Sequence, residues 1–378
     1  MSELRKSVLN KNPRNFGLGK TQQDFSPLNP TDYFDSVEQI ETDNGIFNFY
    51  RKGKSGPILC CLHGGGYSGL TWALFAVDIS KNIECQIIAL DLRGHGGTST
   101  VDDENLDLAT LSRDSADVLE KIFGNSDIPV ILIGHSMGGA IAVDTAKLLH
   151  CIAGICIIDV VEGTALEALS SMQTILRNRP SSFKSLESAI QWCFKSGQTR
   201  NIEAARISMP GQVLKVDNKP SVGNSVTDAV NDFSIQEVDE EHEPTKHENF
   251  AKPPLPQRNS LSSTNSTHSC PTSTYIWRID LKKTERYWPG WFQGLSQKFL
   301  DLQMPKILLL ANVHGLDTTL TIGQMQGKFQ FQVLTKSGHA IHEDQPQQVA
   351  EIISVYLVKH KLAKSREGFE VPIPKMFM

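Results

Sequence analysis

Short, almost continuously apolar runs recur along the chain. They are IFNFY at 46–50, PILCCL at 57–62, CQIIAL at 85–90, VILI at 130–133, AGICII at 153–158, KILLLA at 306–311 and FQFQVL at 329–334. A strand packed on one face alternates apolar with polar residues, whereas a strand covered on both faces is apolar throughout. The middle runs are of the second kind, and segments of helical periodicity separate most of them. Strands alternating with helices predict an α/β fold, with a mostly parallel central sheet flanked by helices and joined by right-handed crossovers.

The rhythm breaks between 158 and 306. Up to about residue 216 the pattern is helical, in LEALSSMQTILRNRP, SLESAIQWCFKS and IEAARIS. Residues 217–273 are rich in Ser, Thr, Pro, Asn and acids, with Phe233 and Phe250 as their only aromatics. Such a stretch cannot bury enough apolar surface to offset chain entropy, so disorder is expected there. Order is expected to resume at YIWRIDLKKTERYWPGWFQGLSQKFL, which holds three of the five tryptophans. The organisation expected is an extension over 1–33, largely disordered, a core in two parts (34–161 and 301–378), and a helical cap inserted at 162–300 that carries the 217–273 loop.

Composition narrows the classes. The chain has 378 residues, 39% of them hydrophobic, and a net charge of −5. That charge argues against nucleic acid as the main partner, because phosphate binding needs a basic face. No run approaches the length of a membrane span. MSELRKSVLNKNPRNFGLGK lacks the apolar segment of a secretory signal. The seven cysteines are odd in number and irregularly spaced, and Cys60, Cys61, Cys85, Cys151 and Cys156 lie in or beside apolar runs. The expectation is buried free thiols in a reducing compartment, the cytoplasm, with the nucleus also open. Asn265-Ser266-Thr267 matches the glycosylation pattern, by chance in such a compartment. A monomer is expected.

The chemistry centres on Gly134-His135-Ser136-Met137-Gly138, which fits G-x-S-x-G between an apolar run and the helical pattern AIAVDTAKLL. A strand that reverses sharply into a helix presents its tip residue above the sheet, at a helix N-terminus that favours developing negative charge. Ser136 is therefore the candidate nucleophile. HGGG at 63–66, after an early strand, supplies a glycine turn of the kind that stabilises an oxyanion. The expected donors are the N–H groups of Gly65 or Gly66 and of Met137.

The base should follow the last strand, and His339 does so after a Ser-Gly turn. His342 competes, but it adjoins acids at a helix start and reads as a surface residue. His63, His95 and His135 sit in glycine turns and read as positioning residues. The acid must lie between serine and histidine in chain order. The slot after KILLLA holds His314, with Asp317 three residues on. Asp159 ends the AGICII run, where a carboxylate needs a partner to offset desolvation. Glu162 lies further from the strand tip, and Asp91 precedes the serine. Local geometry favours Asp159, with Asp317 as the alternative.

The sequence resembles the protein phosphatase methylesterase family from about residue 34 to the C-terminus, the 217–273 insert excepted. HGGG, DLRGHG and GHSMGG are generic to α/β-hydrolases. IDVVEGTALEAL, SFKSLESAIQWCFKSGQTRN, ARISMPGQV, YIWRIDLKKTERYWPGWFQGLS, LTIGQMQGKFQFQVL and GHAIHEDQP are specific to this family. The resemblance implies an α/β-hydrolase that removes the methyl ester from the C-terminal leucine of type-2A protein phosphatase catalytic subunits and so regulates phosphatase assembly. It places the catalytic serine at Ser136, the histidine at His339 and the acid at Asp159. Acyl transfer through such a triad needs neither metal nor organic cofactor. Trp288 and Trp291 are candidate contacts for the phosphatase. Within the insert, Ile235, Val238 and Glu240 have the spacing of a docking motif read by phosphatase regulatory subunits. Two alternatives remain at this level, a small-molecule carboxylesterase of the same fold and a non-catalytic phosphatase-binding protein.

Overall fold

Each of the seven apolar runs forms a strand, and side-chain alternation explains why the middle ones lack polar positions. In the strand over 130–135, Val130 and Leu132 point into one apolar layer while Ile131 and Ile133 point into the other. Leu308 and Leu310 are divided in the same way from Ile307 and Leu309. The computed structural model describes residues 23–124, 126–217, 273–312 and 316–371.

Along the chain the strands are β1 (Ser36–Thr42), β2 (Gly45–Lys52), β3 (Ile58–Leu62), β4 (Ile83–Glu84), β5 (Gln86–Leu90), β6 (Ser99–Thr100), β7 (Val130–His135), β8 (Ile152–Ile158), β9 (Ser182–Phe183), β10 (Val213–Asp217), β11 (Ser273–Trp277), β12 (Lys306–Leu310), β13 (Gln330–Val333) and β14 (Lys364–Ser365). The helices are α1 (Ala73–Asn82), α2 (Leu108–Phe123), α3 (Met137–Thr145), α4 (Glu162–Arg177), α5 (Leu186–Lys195), α6 (Ile202–Ser208), α7 (Trp288–Phe292), α8 (Leu295–Asp301), α9 (Thr318–Met325), α10 (Ile341–Asp344) and α11 (Pro346–Lys359).

Nine strands form the main sheet, in the order β1-β2-β5-β3-β7-β8-β12-β13, with β6 added to β2. From β5 to β13 all neighbours are parallel, and β1 and β2 form an antiparallel edge. β1 has no apolar run in its sequence because it is half exposed and alternates. α2, α3, α7 and α8 cover one face of the sheet, and α1 and α11 cover the other. A third, smaller core joins Phe183, Ala189, Ile190, Cys193, Ala205, Met209 and Val213 in the inserted segment. Residues 288–300, assigned from sequence to the cap, instead pack on the sheet through Trp288, Trp291, Phe292, Leu295 and Phe299.

Part of the N-terminal extension has a defined place. Leu28 N–H donates to the Arg206 carbonyl, Arg206 Nε donates to the Ser26 carbonyl, and Tyr33 Oη donates to Glu203, so this segment is fastened to α6. Among the cysteines, Cys60, Cys61, Cys85, Cys156 and Cys193 are buried free thiols, but Cys151 is exposed, contrary to expectation. It sits in the turn before β8 rather than within the strand. Among the described residues no helix is long and apolar enough to cross a membrane.

Candidate active site

The carboxyl ends of the parallel strands converge, as is usual for ligand sites in open α/β sheets. Ser136 follows β7, Asp159 follows β8 and His339 lies in the loop after β13. Ser136 has φ 54° and ψ −123°, a conformation rare for a residue with a side chain. Its flanking glycines are dictated by contact. A Cβ on Gly134 would stand 2.2 Å from the Gly138 carbonyl oxygen, and a Cβ on Gly138 would stand 2.2 Å from the Leu62 carbonyl oxygen. The sharp turn into α3 therefore forms only with hydrogen at both positions. Ser136 N–H donates to the Ile158 carbonyl at 3.0 Å, which ties the turn to β8.

Asp159 also has a left-handed backbone, with φ 53°. Its N–H donates to the Leu309 carbonyl, and its Oδ1 accepts from Ala311 N–H at 2.8 Å. Oδ2 is left to accept from His339 Nδ1 at 2.8 Å. With its proton on Nδ1, His339 presents an unprotonated Nε2. Among the described residues the Ser136 hydroxyl makes no hydrogen bond. Ser136, Asp159 and His339 line one cavity of about 390 Å³, one wall of which is a face of α4 carrying Thr164, Ala165, Ala168, Met172 and Ile175. Asp317 and Glu162 are occupied elsewhere. Asp317 caps α9 through Leu320 N–H, and Glu162 accepts from the N–H groups of Gly294 and Ser296 at the start of α8.

The oxyanion prediction is sharpened. Gly66 N–H donates to His95 Nε2 at 2.9 Å, so it cannot also serve a substrate oxygen. His95 Nδ1 in turn donates to the Arg93 carbonyl. Burial lowers the His95 pKa to about 4, which keeps Nε2 free to accept. His63 forms a similar link, accepting from Leu92 N–H at 3.0 Å. Together these two rings fasten the HGGG loop to the DLRGHG loop. Gly65 and Met137 retain N–H groups without a protein partner among the described residues. They are neighbours, since a Cβ on Gly65 would lie 3.8 Å from Met137 Sδ.

The loop bearing His339 is held from below. His135 Nε2 donates to the His339 carbonyl at 2.9 Å, and Asp344 Oδ2 accepts from Gly338 N–H at 2.6 Å. His342 is not a surface residue. It is fully buried, stacked on Trp72 with ring centroids 4.3 Å apart. Its Nε2 donates to Thr71 Oγ1, whose hydroxyl donates to Glu343. Burial drives the His342 pKa down to about 3, and His135 is likewise pushed well below the ordinary value. His339 is therefore the one half-exposed imidazole in a group of neutral, buried ones. The adjacent acids that marked His342 as exposed lie in the short α10, which turns the ring inward.

The family model for the alpha/beta hydrolase family matches residues 58–352. Protein phosphatase methylesterase 1 of Mus musculus is 47% identical over 359 residues, covering 93% of this chain and 90% of that protein. The Homo sapiens protein of the same name is 46% identical over the same length. The chain belongs to the protein phosphatase methylesterase family. A more distant methylesterase, from Schizosaccharomyces pombe, is 34% identical and covers 85% of this chain and 82% of its own. Among solved structures, an esterase of Mycobacterium tuberculosis aligns with a TM-score of 0.57 at 20% identity, covering 85% of this chain and 92% of its own. E-2-(acetamidomethylene)succinate hydrolase aligns at 0.60 and 16% identity, covering 85% and 99%. These two share the fold.

In this methylesterase, Trp288 and Trp291 are not contact residues. Each is 2% exposed, and their indole N–H groups donate to Thr284 Oγ1 and to the Leu106 carbonyl. Ile235, Val238, Glu240 and His314 lie outside the described residues. Sequence reasoning missed a second cavity, of about 560 Å³, lined by Gly65, Tyr67, Ile175, Arg179, Trp192 and His339 among others. It shares His339 and Ile175 with the first. Arg179 stood in a helical stretch with no motif to mark it.

Proposed function

We propose that this protein is a serine esterase that removes the methyl ester from the C-terminal leucine of a type-2A protein phosphatase catalytic subunit. The observation that carries the chemistry is the Asp159–His339 hydrogen bond at 2.8 Å, in a cavity that His339 shares with Ser136 on its left-handed turn. Membership of the methylesterase family supports a methyl ester as the substrate.

His339 Nε2 takes the hydroxyl proton as Ser136 Oγ bonds to the ester carbonyl carbon. The carbonyl oxygen becomes an anion facing the N–H groups of Gly65 and Met137. Loss of one such donor typically costs about 10²–10³ in kcat. Collapse of the tetrahedral intermediate breaks the C–OCH₃ bond, and His339 returns its proton so that methanol leaves. Water, deprotonated by the same nitrogen, then cleaves the acyl-serine and releases the leucine carboxylate. Asp159 holds the imidazole in the required tautomer and stabilises its cation. The apolar wall of α4 with Val160, Val161 and Phe292 suits a leucyl side chain, and the second cavity offers a path for the preceding peptide.

Ser136→Ala tests the assignment against methylated phosphatase and a short acyl ester in parallel. The expected variant binds the phosphatase but neither demethylates it nor cleaves the short ester. Normal demethylation by the variant would remove Ser136 as nucleophile. Wild-type protein that cleaves the short ester as efficiently as the methylated phosphatase would point to a small-molecule esterase.

A further inference from the structure

Arg179 is an unusual cation. Its guanidinium carbon stands 3.8 Å from the Trp277 ring centroid and 5.6 Å from that of Trp192. Nη2 donates to Gln198 Oε1 at 3.0 Å, and Gln198 is itself fixed by Gln212. An arginine carries five N–H donors, and this is its one hydrogen bond among the described residues. No carboxylate pairs with it there. Asp280 shares a smaller cavity of about 320 Å³ with Arg179, but its side chain caps Lys282 N–H. Removing a cation from water without an anion is costly. The indole faces repay part of that cost and fix the direction of the guanidinium.

The position is as telling as the missing partner. Arg179 lines the 560 Å³ cavity together with Gly65 and His339. Its Nη1 lies 3.8 Å from where a Cβ on Gly66 would stand, so the guanidinium abuts the oxyanion loop. A peptide whose terminal ester reaches Ser136 through this cavity passes the guanidinium within a few residues of its end.

We propose that Arg179 is a specificity-determining residue that binds a carboxylate side chain of the substrate peptide, shortly before its esterified terminus. The proposal rests on the methylesterase reading above. It explains why the cation lacks an internal counterion, since the substrate supplies one. It also separates this site from a generic short-ester pocket, which needs no anion reader.

The test measures KM and kcat for demethylation of a methylated phosphatase catalytic subunit. The wild type, Arg179→Gln and Arg179→Lys are compared on the natural tail and on tails in which each Asp or Glu near the terminus is changed in turn to Asn or Gln. Loss of a charge-assisted hydrogen bond should raise KM roughly ten- to a hundred-fold for Arg179→Gln with kcat little changed. Arg179→Lys should recover part of the loss. One acid-to-amide tail should give wild-type enzyme a similar rise in KM, and combining that tail with Arg179→Gln should add little. If no acid-to-amide tail alters KM for the wild type, the proposal fails, and this arm does not depend on how Arg179→Gln folds. Additive losses in the combined case would equally overturn it. Failure of the wild type to demethylate the natural tail would instead sink the methylesterase reading, and the proposal with it.

Discussion

Asp159→Asn separates the two tasks of one carboxylate. Oδ1 accepts from Ala311 N–H and Oδ2 accepts from His339 Nδ1, both at 2.8 Å. Asparagine offers one oxygen and one amide nitrogen. If the oxygen keeps Ala311, the amide faces Nδ1, and two donors cannot share that contact. His339 must then move its proton to Nε2, where it can no longer accept one from Ser136. A comparable wrong-tautomer substitution in another triad lowers kcat by about 10⁴. That is about 5 kcal/mol of lost transition-state stabilisation, at about 1.4 kcal/mol per factor of ten. The fold should survive, because asparagine tolerates the left-handed φ of 53° better than most residues. The assay is single-turnover demethylation of the phosphatase catalytic subunit, with a thermal melt beside it. Asp317→Asn serves as the control and should leave kcat within about threefold, since Asp317 caps a helix that does not carry the site. Retention of more than a tenth of wild-type kcat by Asp159→Asn would refute the reasoning, as would an equal loss in Asp317→Asn.

Gly138→Ala drives a Cβ to within 2.2 Å of the Leu62 carbonyl oxygen. Melting should show destabilisation of about 1–3 kcal/mol or more, whereas Gly290→Ala, with open space at its Cβ position, should melt close to the wild type. Glu343 is buried, and desolvation raises its pKa from 4.5 to about 7. The native state therefore holds this proton more tightly than the unfolded chain. The associated stability is complete below pH 4.5 and is lost as pH rises through 7. Denaturation of wild type and Glu343→Gln across that window should show the wild type losing up to about 3 kcal/mol relative to the variant, and parallel curves would remove the assignment. Deleting residues 217–273 and closing β10 to β11 with a short turn should leave turnover of a short acyl ester unchanged while lowering affinity for the phosphatase holoenzyme. Unchanged affinity would eliminate the docking motif around Ile235.

The fold was legible because the middle strands are covered on both faces. Ile131 and Leu132 point to opposite layers, yet both must be apolar, and that produces an unmistakable run. The nucleophile turn was legible because steric exclusion leaves glycine as the one residue that fits at 134 and 138. What stayed hidden depended on tertiary direction. His342 adjoins acids that mark helix starts, but its ring turns under Trp72. Trp288 and Trp291 suggest a contact face in the sequence, but packing on the sheet buries both. Gly65 and Gly66 are indistinguishable in HGGG until His95, from another loop, claims one of their N–H groups. Arg179 carried no signal, because the indoles it packs against, Trp277 and Trp192, are far apart in the chain.

Ser136 and Asp159 end neighbouring strands, and both hold a backbone conformation that glycine adopts freely. Such residues cost of order 1–3 kcal/mol each and persist because their surroundings enforce them. The working site is therefore held at a cost in overall stability. Ser136→Gly should yield an inert chain that melts at a higher temperature than the working one. Selection for heat resistance alone, with no demand for turnover, would erode these two positions early.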